Sequence, residues 1–311
     1  MRFASGARSY LSGVLVYGLA VLWFTYGPFY ADFLSGVAYK IILLMYFGYL
    51  TTGLIYYRYK SPGTQESKPL LLLRTLWKIT KHRPLSQLEK NAALFLFVKF
   101  FFLPLMIQFL SANIRMLSSG IAALSWYGFL FTLLFTVDTL VFVFGYLMES
   151  KRLGNEVRSV EPTLIGWLAA IICYPPLNWW VGKYIPWGAN DYVNFGNLTA
   201  TMVVRIVILA LLLVYVWASL ALGPKASNLT NRGIVTRFPY SVVRHPAYIS
   251  KNLIWWLTLL PAINIYFALG MLLWSGIYYL RAVTEERHLG KDVDYRSYCR
   301  KVKYRFIPFV F

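Results

Sequence analysis

The stretch VVRIVILALLLVYVWASLALG, residues 203–223, decides the fold class of this chain. It contains one charged residue, Arg205, and its apolar side chains would cover every face of a helix rather than one stripe. A helix of about 20 such residues is long enough to cross roughly 30 Å of hydrocarbon. The stretch therefore predicts a transmembrane helix.

Similar stretches recur along the 311 residues, of which 58% are hydrophobic and 14% charged. They predict eight spans, near residues 10–29, 33–57, 91–111, 121–148, 163–181, 201–222, 247–262 and 264–280. We therefore expect an all-α fold, a polytopic transmembrane helical bundle of about eight spans with a C-terminal cytoplasmic helix.

The distribution of lysine and arginine predicts the orientation of these spans. With a cytoplasmic N-terminus, 25 of the 31 basic residues fall in cytoplasmic segments, and two, Arg115 and Lys183, fall in external loops. Basic residues concentrate on the cytoplasmic side of membrane proteins. We therefore expect an integral, multi-pass protein with both termini in the cytoplasm. The net charge of +19 is then explained by topology and by contact with membrane lipids, not by binding of nucleic acid.

The chain divides by its motifs into two regions. Residues 1–200 form an N-terminal transmembrane region of about five spans, with a cytoplasmic insert at 58–90, and residues 201–311 form a C-terminal region that carries the polar motifs. Within the insert, residues 70–81 place apolar side chains among basic ones, which predicts an amphipathic helix on the membrane surface. The arginines and apolar run at the N-terminus lack a convincing cleavage site and are interpreted as a retained first span.

Several residues inside the predicted spans are unusual. Asp138 and Arg205 are costly in lipid without a partner, so we expect them to pair, as a structural ion pair or within a substrate site. The sequence CYPPLNWW, 173–180, is expected to break the fifth helix. Cys173 and Cys299 would lie at different depths, which excludes a disulfide, and neither has metal-ligand spacing, so no metal site is predicted.

Two polar motifs flank the last predicted hairpin, RHPAY at 244–248 and TEERHL at 284–289. Because the hairpin returns the chain to the cytoplasmic side, we expect the two motifs to face each other. The first offers donors to a carboxylate or phosphate, and a glutamate of the second can accept hydrogen bonds from ribose hydroxyls or an amino group. Adjacent glutamates diverge by about 100° on a helix, so one can face the pocket while the other pairs or caps. Such a pocket suits a nucleoside-containing cofactor, whereas simple anchoring at the membrane interface is the alternative.

The order of these motifs resembles a known family. RFPYSVVRHPAYIS at 237–250, RAVTEERHL at 281–289 and YRSYCRKVKYRFIPF at 295–309 resemble the C-terminal domain of the isoprenylcysteine carboxyl methyltransferases, over about residues 232–309. The resemblance implies S-adenosylmethionine as cofactor and transfer of its methyl group to a lipophilic acceptor, either an isoprenylcysteine-like carboxylate or a lipid. It implies a cofactor site formed by Arg244, His245, Pro246 and Tyr248 on one side and by Glu285 and Glu286 on the other. It also gives Arg281 the catalytic role of holding the acceptor carboxylate.

The chain departs from the family pattern near the first motif. Phe238 and Ser250 stand where the family commonly has glycine, and Lys251 follows, which is expected to extend towards the lipid headgroups. The tail is also similar to the ends of membrane sterol reductases, which implies NADPH and a sterol-like substrate. Those enzymes usually carry an aspartate where this chain has Lys251. A non-enzymatic membrane scaffold or transporter is the third alternative.

Overall fold

The structure, a computed structural model, describes residues 2–59, 66–191 and 193–310, and within these ranges it is mainly helical. Two short strands, β1 (Ser159–Val160) and β2 (Thr230–Asn231), pair antiparallel. The helices are α1 (Arg2–Tyr26), α2 (Tyr30–Phe33), α3 (Gly36–Tyr59), α4 (Lys68–Thr80), α5 (Gln87–Ser118), α6 (Gly120–Leu147), α7 (Leu164–Ile171), α8 (Leu177–Gly182), α9 (Leu198–Leu222), α10 (Pro246–Leu259), α11 (Ile265–Leu289) and α12 (Val293–Lys301). The predicted all-α fold is confirmed.

Within the described residues, six helices are long and apolar enough to cross a membrane, namely α1, α3, α5, α6, α9 and α11. They match six of the eight predicted spans, and the protein is therefore membrane-embedded. The fifth predicted span consists of two short helices, α7 and α8, separated at the Pro175–Pro176 pair as the sequence predicts. The seventh is α10, whose 14 residues rise only about 21 Å. Two of the predicted spans are thus shorter than a full helical crossing.

The chain forms two compact units, one ending at Ser111 and the other beginning at Ala112. The boundary drawn at residue 200 from the motifs falls inside the second unit. The reason is that α6, before that boundary, packs along α9, after it.

In the first unit, α1 and α3 pack as antiparallel neighbours. Tyr10 donates from its hydroxyl to the carbonyl of Leu50, and Tyr46 donates to that of Val14, which is the reversed order expected of antiparallel helices. A Cβ at Gly13 would overlap the hydroxyl of Tyr49. Small residues of this kind let two membrane helices approach closely.

The insert of the first unit contains α4, which confirms the helix expected at 70–81. Its apolar residues divide into two sets. Leu71 and Leu72 are buried, and Leu72 packs with Val16 and Leu96, whereas Trp77 and Ile79 are about half exposed. One face of α4 is therefore covered by protein, and the exposed apolar side chains are the part that suits a membrane surface.

In the second unit, α6 and α9 run parallel. Asp138 of α6 accepts hydrogen bonds from the hydroxyls of Tyr215 and Ser219 of α9, while Arg205, near the start of α9, lies with its guanidinium 4.9 Å from the ring centre of Tyr127. The expected Asp138–Arg205 pair is therefore wrong. The parallel order places Arg205 beside Tyr127, which precedes Asp138 by 11 residues, about 16 Å along α6.

Because α6 and α9 are parallel, the segment between them must return the chain to the start of α9. Its contacts with α11 show its course. Glu161 lies 3.3 Å from the guanidinium of Arg287, and Gly188 packs beside Phe267. The 20 residues that separate Phe267 from Arg287 correspond to about 30 Å of helix. The broken segment 161–188 therefore runs beside α11 over a length comparable to the hydrocarbon core.

The last two apolar segments, α10 and α11, form the expected hairpin. Asn252 is hydrogen-bonded to Ser275 near its middle, and Leu259 clusters with Met271 near its turn. At the open end of the hairpin, residues 244–248 lie against residues 284–289. The β1–β2 pair then joins the connection before α7 to the loop before α10, which places both beside the end of α11.

Candidate functional site

The loop that carries RHPAY is held by the C-terminal tail. The backbone N–H of Arg244 donates to the carbonyl of Tyr304 at 3.0 Å, and that of His245 donates to the carbonyl of Arg305 at 2.9 Å. Pro246 follows as the first residue of α10, a position that suits proline because the first helical N–H has no acceptor in the helix. Pro246 does not line the adjacent cavity. Its position explains the start of α10 rather than contact with a ligand.

Glu286 is the centre of an ion cluster. Its carboxylate lies 3.0 Å from Nε2 of His245, 2.8 Å from Nη2 of Arg305 and 3.3 Å from Nε of Arg244. The side chain of Glu286 is only 10% exposed and does not line the cavity. The carboxylate in turn raises the pKa of Arg305, chiefly through their hydrogen bonds. Glu286 is therefore the glutamate that pairs, and it fastens the tail and the RHPAY loop to α11.

Glu285 is the glutamate that faces the cavity. The hydroxyl of Tyr248 donates to its Oε2 at 2.6 Å, and the Tyr248 ring stacks on that of His245 with 5.2 Å between centres. The cavity, which we call the motif cavity, has a volume of about 170 Å³. Of the site residues predicted from the sequence, its lining contains Arg244, His245, Tyr248, Arg281 and Glu285.

Arg281 lies one helical turn before Glu285 on the same face of α11, and it is buried. One guanidinium nitrogen donates to Oδ1 of Asn228, and the group lies 5.1 Å from the ring centre of Tyr248 and 5.8 Å from that of Tyr278. The guanidinium plane is therefore fixed by one amide and by aromatic rings rather than by a carboxylate, which leaves its charge available to an anion.

Residues of the loop after α9 and of α12, to which the motifs assigned no role, complete the motif cavity. Asn228 and Thr230 line it beside Arg281, and Tyr240 and Tyr295 close it towards α12. Burial raises the pKa of both tyrosines, so their hydroxyls stay protonated and can donate. The run of polar residues directly after an apolar span was the available signal for Asn228 and Thr230.

Lys251 does not extend to the headgroups as expected. It lines the motif cavity and also a second cavity of about 480 Å³, and its Nζ lies 5.5 Å from the ring centre of Tyr215 and 5.4 Å from that of Trp255. Its place on the inner face of α10, which packs against both α9 and α11, turns it inward. Tyr215, Lys251 and Tyr278 line both cavities and so form the wall between them.

The second cavity, which we call the tryptophan cavity, lies between α8, α9, α10 and α11. Its lining includes four tryptophans, Trp179, Trp187, Trp255 and Trp274. Trp187 makes edge-on contacts with Trp255 and Trp274, with ring centres 4.7 Å and 5.7 Å apart. These rings give the cavity a rigid, largely apolar wall.

The comparisons with known proteins identify no relative: no protein-family model matches the chain, and no curated protein or solved structure matches it either.

Proposed function

We propose that the protein is an integral membrane methyltransferase that transfers a methyl group from S-adenosylmethionine to a lipophilic acceptor. The observation that supports this most is the meeting of the two motifs around one cavity. Tyr248 of the first motif bonds to Glu285 of the second at 2.6 Å, although 37 residues separate them. These are the motifs on which the resemblance to the isoprenylcysteine carboxyl methyltransferases rests.

The chemistry of the motif cavity suits this cofactor. Adenosylmethionine carries a carboxylate, an ammonium, a sulfonium and a ribose diol, and the lining supplies cationic donors in Arg244 and Arg281 and an acceptor in Glu285. The buried Oγ1 of Thr230 has no hydrogen-bond partner among the described residues, so it is available to a ligand. The volume of about 170 Å³ is below the roughly 300–1,000 Å³ of most ligand pockets. Binding of a molecule of this size would therefore require the motif cavity to widen.

Each residue would then have a distinct role. Bound adenosylmethionine would supply an electrophilic methyl group. Arg244, His245, Tyr248 and Glu285 would bind and orient the cofactor. Glu286 would hold His245 in place without contacting the cofactor. Arg281 would present two parallel N–H groups to an acceptor carboxylate. Because an ionised carboxylate needs no general base, the contribution of the chain would be to align the acceptor and exclude water.

We also propose that the chain crosses the membrane eight times with both termini in the cytoplasm. The course of segment 161–188 beside α11 supports a fifth crossing, although the segment contains no long helix. The packing of α10 along α11 likewise supports a seventh crossing, by α10. Irregular backbone at membrane depth is tolerated where protein covers it. The distribution of lysine and arginine supports a cytoplasmic position for the motif cavity.

Cofactor binding by the purified protein tests the proposed function. S-Adenosylhomocysteine, the demethylated product, should raise the midpoint of thermal unfolding of the full chain in detergent, because a ligand of the folded state stabilises it. Glu285→Ala should abolish most of this increase, whereas Glu156→Ala, an exposed glutamate outside both cavities, should retain it. Stabilisation by NADPH alone would favour the reductase alternative, and stabilisation by neither nucleotide would favour a scaffold or transporter.

A further inference from the structure

The motif cavity has a second polar region, beyond Glu285 towards the end of α11. Glu161, Thr230 and His288 line it, and we call these three residues the Glu161 subsite. Glu161 directly follows β1, and Thr230 opposes Val160 in the β1–β2 pair. His288 lies three residues after Glu285, about one turn further along the same helix. The sequence motifs assigned no role to any member of the subsite.

The carboxylate of Glu161 is held through one of its two oxygens. Oε1 accepts hydrogen bonds from the backbone N–H of Thr163 at 3.0 Å, from the hydroxyl of Thr163, and from Nη2 of Arg287 at 3.3 Å. A Cβ at Gly166 would overlap the Glu161 side chain, so the carboxylate packs closely on the backbone of α7. Oε2 is buried and has no hydrogen-bond partner among the described residues. Glu161 is therefore fixed in place with one acceptor unused.

His288 and Thr230 also have an unused polar atom each. Nε2 of His288 lies 3.2 Å from the hydroxyl of Ser159, which orients the ring. Nδ1 of His288 lies 3.9 Å from Oε2 of Glu161, too far for a hydrogen bond. This Nδ1 and the Oγ1 of Thr230 are buried and have no hydrogen-bond partner among the described residues. Buried polar atoms of folded proteins nearly always have a partner, so three in one cavity wall indicate a bound ligand or ordered water.

The number of carboxylates suggests which part of a ligand binds here. Within the part of the chain that the structure describes, the lining of the motif cavity contains two, Glu161 and Glu285. Adenosylmethionine presents two groups of donors, its ammonium and its ribose hydroxyls. The ammonium shares a carbon with a carboxylate and therefore needs an anion beside a cation, which Glu285 and Arg244 supply from the two facing motifs. Glu161 remains for the ribose.

The unused atoms of the Glu161 subsite suit hydroxyls better than an ammonium. A hydroxyl both donates and accepts, whereas an ammonium only donates. A hydroxyl can therefore donate to Oε2 of Glu161, and a second one can bond to Nδ1 of His288 whether or not that nitrogen carries the proton. Two adjacent hydroxyls would satisfy both residues together.

We propose that the Glu161 subsite binds the two hydroxyls of a ribose, with Oε2 of Glu161 accepting from one and Nδ1 of His288 bonding to the other. Thr230 adds a hydroxyl to the same wall. Arg287 and Ser159 hold the two side chains in position. The inference rests on the proposed function, since the ribose is that of adenosylmethionine. Glu161 and His288 are then the residues that select a ribonucleoside over a deoxyribonucleoside.

The test uses 5′-methylthioadenosine, which has the adenine and ribose of the cofactor but not its amino-acid part. Calorimetry on the full chain in detergent measures its affinity and that of its 2′,3′-dideoxy form. The parent should bind the ribose form at least about tenfold more tightly, because the dideoxy form leaves the subsite without partners. Glu161→Gln should reduce this preference to about threefold or less, since the amide lacks the charge that strengthens the hydrogen bond. His288→Phe, which keeps a ring but removes both nitrogens, should reduce it similarly.

Glu285→Gln is the matched control within the same cavity. It should weaken the binding of S-adenosylhomocysteine, whose amino group is its partner, but keep the preference for the ribose form of methylthioadenosine. Glu156→Gln, exposed and outside the cavity, should change neither.

The outcomes separate the two proposals. Equal affinity of the parent for the ribose and dideoxy forms, or an unchanged preference in Glu161→Gln, would overturn the inference and leave the cofactor proposal intact. A parent that binds neither S-adenosylhomocysteine nor methylthioadenosine would instead overturn the proposed function, and the inference with it.

Discussion

The hydroxyl of Tyr248 and the carboxylate of Glu285 lie 2.6 Å apart, whereas the neighbouring Glu286 turns away to His245 and two arginines. These adjacent residues of α11 thus lie in two different environments. One carboxylate faces a cavity, and the other holds the tail against the loop. This division predicts different effects on stability for two otherwise similar substitutions.

Glu286→Ala should lower the stability of the fold much more than Glu285→Ala. Removing Glu286 leaves His245, Arg244 and Arg305 close together without their anion, and loss of one partner from a buried ion pair typically costs about 3–5 kcal/mol. Removing Glu285 leaves only the Tyr248 hydroxyl without its acceptor, which costs about 1–3 kcal/mol. Thermal unfolding in detergent compares the two variants. Equal midpoints would show that the Glu286 cluster is not a structural centre.

Arg281→Lys should preserve the binding of S-adenosylhomocysteine but lower methyl transfer at least about tenfold, a loss of about 1.4 kcal/mol of transition-state stabilisation. Lysine is a flexible point charge and cannot reproduce the planar, two-donor geometry of arginine. Incorporation of tritiated methyl groups into extracted membrane lipids measures transfer.

Arg237→Lys is the control for this substitution, because Arg237 binds the carbonyls of Leu220 and Ala221 at the end of α9 and does not line the motif cavity. Near-normal transfer by Arg281→Lys would indicate that Arg281 only anchors α11. Loss of nucleotide binding would place it among the cofactor contacts instead.

Reporter fusions should place residues 31, 116 and 190 outside and residues 65, 155, 235 and 311 in the cytoplasm. The fusion at 190 is the informative one, because it follows the broken segment that runs beside α11. Its external position requires that segment 161–188 crosses the bilayer without a long helix. A cytoplasmic reporter at 190 would contradict the eight-crossing topology.

The contact between Asp292 and its partners should make part of the stability depend on pH. Burial raises the pKa of Asp292, but hydrogen bonds from Asn231 and Arg158 outweigh it and hold the pKa below its ordinary value. The stabilisation is therefore complete above the ordinary carboxyl pKa of about 3.9 and is lost as the pH falls below it. Asp292→Asn should lower the unfolding midpoint at pH 7, and the difference from the parent should shrink towards pH 3. A difference that stays constant over this range would exclude the carboxylate as its cause.

The sequence predicted the parts of this fold that depend on length and apolarity. A continuous apolar run such as 203–223 has few alternatives to a membrane helix, and the proline pair at 175–176 has few alternatives to a break. Side-chain direction was harder to predict. Lys251 was expected to reach the headgroups because a lysine near a helix end commonly does, but the packing of α10 between α9 and α11 turns it inward. Asp138 was expected to pair with a charged residue. Its actual partners are the hydroxyls of Tyr215 and Ser219, and only the parallel packing of α6 and α9 brings them beside it.

The sequence predicted which two motifs form the candidate site, but it did not predict the separate roles of Glu285 and Glu286. Sequence spacing could state that Glu285 and Glu286 diverge, but the choice between them depends on where Arg305 of the tail binds. Asn228 was missed because its position opposite Arg281 arises from the β1–β2 pair, a contact between segments about 70 residues apart.

The wall between the two cavities takes one side chain from each of three helices, Tyr215 from α9, Lys251 from α10 and Tyr278 from α11. Substitutions of neighbouring residues rarely act independently, since each alters the space and the field that the others experience. Any library that varies the specificity of this protein should therefore randomise these three positions together. Thr230 and Asn178 each line only one of the cavities, so their substitutions should combine additively and can be screened one at a time.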